Sequence, residues 1–71
     1  MVVKKLSFQG HELTVPFWAN FVTCDEGTSM IVAHEFLPVL DVHMGAWLAS
    51  NGSRNQLLGA MDGGKVGMQK I

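Results

Sequence analysis

Residues 15–47, VPFWANFVTCDEGTSMIVAHEFLPVLDVHMGAW, decide how this chain is read. They hold both tryptophans, three of the four phenylalanines, the single cysteine, both prolines and two of the three histidines. Pro16 cannot donate to a β-ladder, and its fixed φ suits the first position of a helical turn. It therefore ends one strand and opens a short turn; PFWANF is too short to stand as a helix. Residues 21–24 read as a strand and 25–28, DEGT, as its turn. Residues 30–36 form the strongest strand pattern in the chain. Met30, Ile31, Val32 and Ala33 put apolar side chains on both faces, as a central strand does. Pro38 bars the next run from a central place. Residues 38–48 fit either a helix or an extended segment, with Val39, Val42 and Gly45 weighing against the helix.

On the N-terminal side, residues 4–8 alternate, with Leu6 and Phe8 on one face and Lys5 and Ser7 on the other. Gln9-Gly10 supplies a turn. Residues 11–15 alternate again, Leu13 and Val15 inward, so a first hairpin is expected. On the C-terminal side, Trp47-Leu48 opens a further strand, Asn51-Gly52 reads as its hairpin turn and residues 54–58 as its partner. From Gly59 onward the periodicity is lost and glycine is frequent, so residues 59–71 are expected to be a flexible tail behind a single domain over 1–58. The expected fold is mainly β: a small antiparallel sheet of four to five strands with a short helical turn near Pro16, a β-rich α+β arrangement being the alternative.

Composition narrows the function classes. The chain has 71 residues and room for one core. A domain of this size buries only about 60% of its unfolded surface, and one cysteine cannot make an internal disulfide. Hydrophobic residues are 48% of the chain and charged residues 15%, against roughly 25% charged in an ordinary domain. So much apolar side chain in so small a body implies that some is exposed or shared, which points to self-association or a protein partner. Met1 to Lys5 is not followed by an apolar run, and no stretch approaches the roughly 18 residues of a membrane span. An intracellular setting without membrane contact is expected.

Net charge is −1, and no basic residue falls between Lys5 and Arg54. Nucleic-acid binding needs clustered cations, so it stands as the second function class, available only if sheet pairing gathers Lys4, Lys5 and Arg54. Phe17, Trp18, Phe21 and Trp47 could stack on bases, but no cations are interleaved with them in sequence. Core packing or a protein contact suits these rings better.

The remaining constellations are thin. Cys24, His34, Glu35, Asp41 and His43 lack the close ligand pairs of a zinc site, and adjacent strand positions send His34 and Glu35 to opposite faces; these read as sheet-surface residues. Cys24 precedes Asp25 and Glu26, which raise a thiol pKa, so a buried cysteine suits it better than a nucleophile. There is no GxSxG motif, and Gly63-Gly64-Lys65 lacks P-loop spacing. No enzyme activity, metal or cofactor is expected. The candidate interaction residues are Trp18, Phe21, Met30, Val32 and Trp47.

Val15, Pro16, Trp18, Phe21, Val22, Asp25, Ala33, Glu35, Pro38 and Trp47 follow one another in a V-P-x-W-x-x-F-V-x-x-D, A-x-E, P, W order. In this, residues 6–50 resemble a group of short phage- and prophage-encoded proteins of unknown function. This chain departs from that pattern in its DEGTS turn and its glycine-rich end. The resemblance implies a compact β-rich accessory protein in the cytoplasm of a bacterial host cell; the apolar surplus adds the expectation that it acts as a homo-oligomer or on a host protein. It implies no activity.

Overall fold

A computed structural model describes residues 3–26, 29–61 and 64–71. Its eight strands are β1 (Val3–Phe8), β2 (His11–Pro16), β3 (Phe21–Cys24), β4 (Met30–His34), β5 (Val39–Asp41), β6 (Ala46–Leu48), β7 (Asn55–Ala60) and β8 (Gly67–Lys70). All pairings are antiparallel, and no helix occurs among the described residues. The protein is mainly β, with more strands than the expected four to five. Gly27 and Thr28 of the expected DEGT turn, and Asp62 and Gly63 near the C-terminal end, lie outside the described residues.

The β1–β2 hairpin forms where the alternation places it, with Leu6 opposite Leu13 and Phe8 opposite His11. Gln9 and Gly10 both have positive φ, 49° and 81°. That is the type I′ geometry whose twist matches the flanking strands. After Pro16 the chain makes a four-residue turn, the Ala19 N–H donating to the Pro16 carbonyl at 3.0 Å. This β-turn stands where a helical turn was expected. Asn20 donates to the His34 carbonyl one residue later and commits the chain to the sheet.

The main sheet has the order β7-β4-β3-β8, so β3 and β4 are central. Val22 lies opposite Ala33 and Cys24 opposite Ile31. These four are buried with Phe8 and Val15 of the hairpin, Ala19 and Met61. The core is thus the interlayer between the β1–β2 hairpin and one face of the sheet, edged by Leu6, Leu13, Trp18, Leu58 and Ile71. Strand periodicity sends Phe21, Thr23, Val32 and His34 to the opposite face. On β7 the register slips between Ile31 and Val32, leaving Leu58 as the extra residue of a bulge beside Gly59. Gly59 has φ 145°, a conformation open to glycine and costly for other residues.

Two further expectations are overturned. Asn51-Gly52 does make a turn, but not between paired strands: β6 pairs with β5, and β7 pairs with β4. Of the two alternatives for residues 38–48, the extended one holds at Val39–Asp41 and Ala46–Leu48, and no helix forms. The two strands pair as a hairpin, with Leu40 opposite Trp47 and Asp41 opposite Ala46. The tail expected from Gly59 instead supplies the end of β7 and all of β8, which pairs with β3 from Phe21–Lys70 to Cys24–Gly67. Its partners are distant in sequence. Gln9 and Lys65 exchange two hydrogen bonds, the Gln69 amide donates to the Ser7 carbonyl, and the Ile71 N–H donates to the Asn20 carbonyl.

Candidate interaction surface

The β5–β6 hairpin is built around Asp41. Its Oδ1 accepts from the His43 and Met44 N–H groups, and the Gly45 N–H donates to its carbonyl. An aspartate that satisfies the next backbone donors is ordinary turn chemistry. Gly45 closes the turn at φ 65°, and a Cβ there would lie 2.9 Å from the Glu26 Cβ. Only glycine fits this contact without displacement. The hairpin is fastened to the body through the end of β3: the Glu26 N–H donates to the Gly45 carbonyl at 2.8 Å, and the Trp47 N–H to Asp25 Oδ1 at 3.1 Å. The radius of gyration is 11.2 Å, about what a compact 71-residue chain has. The two hydrogen bonds hold the hairpin beside the end of β3.

Apart from His43, what the hairpin presents to solvent is apolar. Phe36, Leu37, Val39, Leu40, Val42, Met44 and Leu48 are all exposed, Val42 at 76% and Met44 at 71%. Among the described residues, seven of the thirteen exposed large hydrophobics thus fall within residues 36–48, a segment whose one Asp, Glu, Lys or Arg side chain, Asp41, is engaged in the turn. The other six are spread over the rest of the described chain.

The five residues singled out from sequence are divided by the fold. Phe21 and Val32 are half-buried and Met30 is exposed on β3 and β4. Trp47 sits in β6, half-buried, its indole N–H covered and without an acceptor among the described residues. Trp18 belongs elsewhere. It rests against the core and carries the Arg54 guanidinium 5.1 Å above its ring, with Phe17 6.0 Å away.

Arg54 is thus brought to rings that no cation neighbours in sequence. It is also committed to Glu35 by a 2.8 Å ion pair, which holds the Glu35 carboxyl below its ordinary value. Lys4 reaches the Ala19 carbonyl, and Lys5 stands 4.0 Å from Glu12 on an exposed part of the hairpin. The three cations are not gathered on one face: Lys4 and Lys5 occupy successive strand positions, whose side chains diverge.

His34, expected at the sheet surface, is buried at 3% exposure. Its Nδ1 lies 2.8 Å from Asn55 Oδ1 and its Nε2 2.9 Å from Thr23 Oγ1. Asn55 spends its NH2 on the Ser53 carbonyl, so its oxygen faces the ring. Nδ1 therefore carries the proton and donates, and the Thr23 hydroxyl donates to Nε2. Burial pushes the His34 pKa below 6.5, against the opposing pull of Asn55 and Asp25. The order hydroxyl, imidazole, amide is that of a nucleophile, its base and an orienting group. Thr23 has no exposed surface, so no substrate reaches the hydroxyl. The chain satisfies a buried imidazole instead. The sequence signal for this was parity: Thr23 and Val32 pair, which sets Thr23 and His34 on one face.

Cys24 is fully buried, and burial followed by the Asp25 charge pushes its thiol pKa up. No group of three or more His, Cys, Asp or Glu side chains converges among the described residues. A cavity of about 240 Å³ between the β1–β2 hairpin and Met61, lined by His11, Glu12, Leu13, Ile31 and Ala60, is smaller than the roughly 300–1,000 Å³ of small-molecule sites. No protein-family model matches the sequence, no curated protein matches it, and no solved structure matches the fold.

Proposed function

We propose that this protein is a small accessory protein of the phage type that works by protein–protein contact, through the apolar surface of residues 36–48, and performs no catalysis. The observation that carries the reading is the concentration of exposed large side chains in one short hairpin and its base. The largest apolar patch on an ordinary monomer covers about 300–600 Å², and larger ones mark interaction sites. Trp47, half-buried within the same hairpin, and the exposed Phe36 at its base are the aromatic side chains of this segment. The phage-type assignment rests on the proline, tryptophan and acid spacing of residues 6–50. Thr23 with His34, the one nucleophile-like arrangement found among the described residues, is closed to solvent, which favours a binding role.

The test is site-specific photo-cross-linking in the expressing bacterial cell. A photoreactive residue at Val42 is expected to give discrete higher-mass products, while the same residue at Glu12, exposed on the first hairpin, gives none. Equal patterns at the two positions would overturn the reading.

A second reading is favoured by one observation, the stacking of Arg54 on Trp18 and Phe17. Rings with a cation above them are the material of single-strand binding. Its cost is the Glu35 pairing, which neutralises that cation. This reading expects binding to single-stranded nucleic acid at low salt, weakening steeply as salt rises; lack of binding at low salt ends it.

A further inference from the structure

Resting on the contact-surface reading above, we propose that the partner seated on residues 36–48 is a second copy of this chain, giving a two-fold dimer through the outer face of the β5–β6 hairpin.

Three observations favour a second copy over another protein. The first is the shortage of core. The largest side chains that are completely buried are Val15, Val22, Thr23 and Cys24, and Phe8 is the single buried aromatic. A chain of this size with so small an interior needs reinforcement, and its one cysteine rules out an internal disulfide. A contact required for stability must be available whenever the chain is made, and only its own copies are always present.

The second is area. Leu37, Val39, Val42, Met44 and Leu48 leave roughly 550–600 Å² in the open, most of the about 800 Å² that each partner buries in a standard interface. The third is charge. A two-fold contact brings a patch against itself, so any net charge on it repels. Residues 36–48 carry one carboxylate, Asp41, which is turned to the His43 and Met44 backbone, and no Lys or Arg; His43 is the one other titratable side chain there.

Strand parity names the contact. Val39 and Leu48 pair directly and are 61% and 49% exposed, whereas Leu40 and Trp47, the next pair, are more covered and face the body. Val39 and Leu48 form the centre of the interface, with Leu37 at the base and Val42 and Met44 at the tip.

The experiment is sedimentation velocity on the native chain across a hundred-fold dilution, with three variants: Val39→Lys, Val42→Lys and, on the uncovered edge of β7, Leu57→Lys. Binding of a dye that fluoresces on apolar surfaces is measured in parallel. The native chain is expected to sediment at twice its 7.7 kDa mass. Val39→Lys and Val42→Lys are expected to dissociate it by at least a hundred-fold in Kd, and Leu57→Lys to leave it unchanged. A dimer lost in Leu57→Lys but kept in the hairpin variants would place the contact on the sheet edge and overturn the proposal. A native monomer at every concentration would also overturn it. If that monomer binds dye and the hairpin variants do not, the apolar surface is open for a different protein and the contact reading stands. If no dye binds, both fall. The native dilution series needs no substitution, so a variant that fails to fold does not decide the outcome.

Discussion

The two hairpins of this protein are made of similar residues and are put to opposite uses. The β1–β2 hairpin carries Leu6, Phe8, Leu13 and Val15 on one face and charged or polar residues on the other, and its apolar face is closed against β3 and β4. The β5–β6 hairpin carries Val39, Leu40, Trp47 and Leu48, and much of that surface stays in solvent. The difference lies in alternation. A strand that alternates apolar with polar has one face to hide and one to wet. The segment VLDVHM, with LeuPro before it and AlaTrpLeu after it, is apolar on both sides and cannot hide both against one sheet. One hairpin completes the body; the other leaves the body incomplete.

The comparison breaks most sharply at Phe8. Phe8→Ala removes the one buried aromatic of the body, and a loss of about 3–5 kcal/mol in unfolding free energy is expected by urea titration. A loss under about 1 kcal/mol would mean that the interlayer is not the seat of stability.

Next is the fastening of the outer hairpin. Gly45→Ala places a Cβ against Glu26 and forces a positive φ on alanine, at about 1–3 kcal/mol. Its signature is local: amide exchange at Glu26 and Trp47, whose N–H groups join the hairpin to the body, should accelerate more than exchange at Val22 or Ala33. Uniform acceleration would show that the two regions unfold as one.

A pH titration sharpens the contrast from the sheet face that bears Thr23. His34 is held neutral by burial, its pKa below the ordinary 6.5. Below about pH 6.5 the unfolded chain takes up a proton that the folded chain refuses, so stability falls as pH falls, by at most about 1.4 kcal/mol per pH unit. The fall levels off once pH passes below the folded value. His34→Gln should flatten the curve over that window. A native chain equally stable at pH 7 and pH 5 would contradict the buried, neutral imidazole.

The smallest effect is expected at Trp47. Its indole N–H is covered without an acceptor among the described residues, a loss of about 1–3 kcal/mol for such a group. Trp47→Phe gives up ring area and that unpaired donor together, so stability should change by less than about 1 kcal/mol in thermal melts. A larger loss would reveal an acceptor for the indole.

How much of this was legible in the chain follows the range of the interactions. The first hairpin was read whole, because Gln9-Gly10 and two alternating runs are local signals. Strands β3 and β4 were read for the same reason. β8 was not: GMQK has no strand pattern of its own and is ordered by β3, more than forty residues away, and by Gln9 and Gln69 reaching across. Asn51-Gly52 misled because a good turn dipeptide says that the chain turns, not which strands it joins. Of the candidate surface, the apolar surplus and Trp47 were visible, but its concentration in residues 36–48 was not, since exposure depends on what else comes to cover each face.

By itself, then, the order of residues determined a mainly β chain, a marginal core without a disulfide, a buried Cys24 and more apolar side chain than the interior could hold. Tertiary structure alone decided that Arg54 lies over Trp18 and pairs with Glu35, that Thr23, His34 and Asn55 close a buried hydrogen-bond chain, and that the surplus collects on the β5–β6 hairpin. The physical reason is the same in each case. Periodicity and turn chemistry act over a few residues and can be read from them, whereas burial and charge pairing belong to the space between strands far apart in the chain.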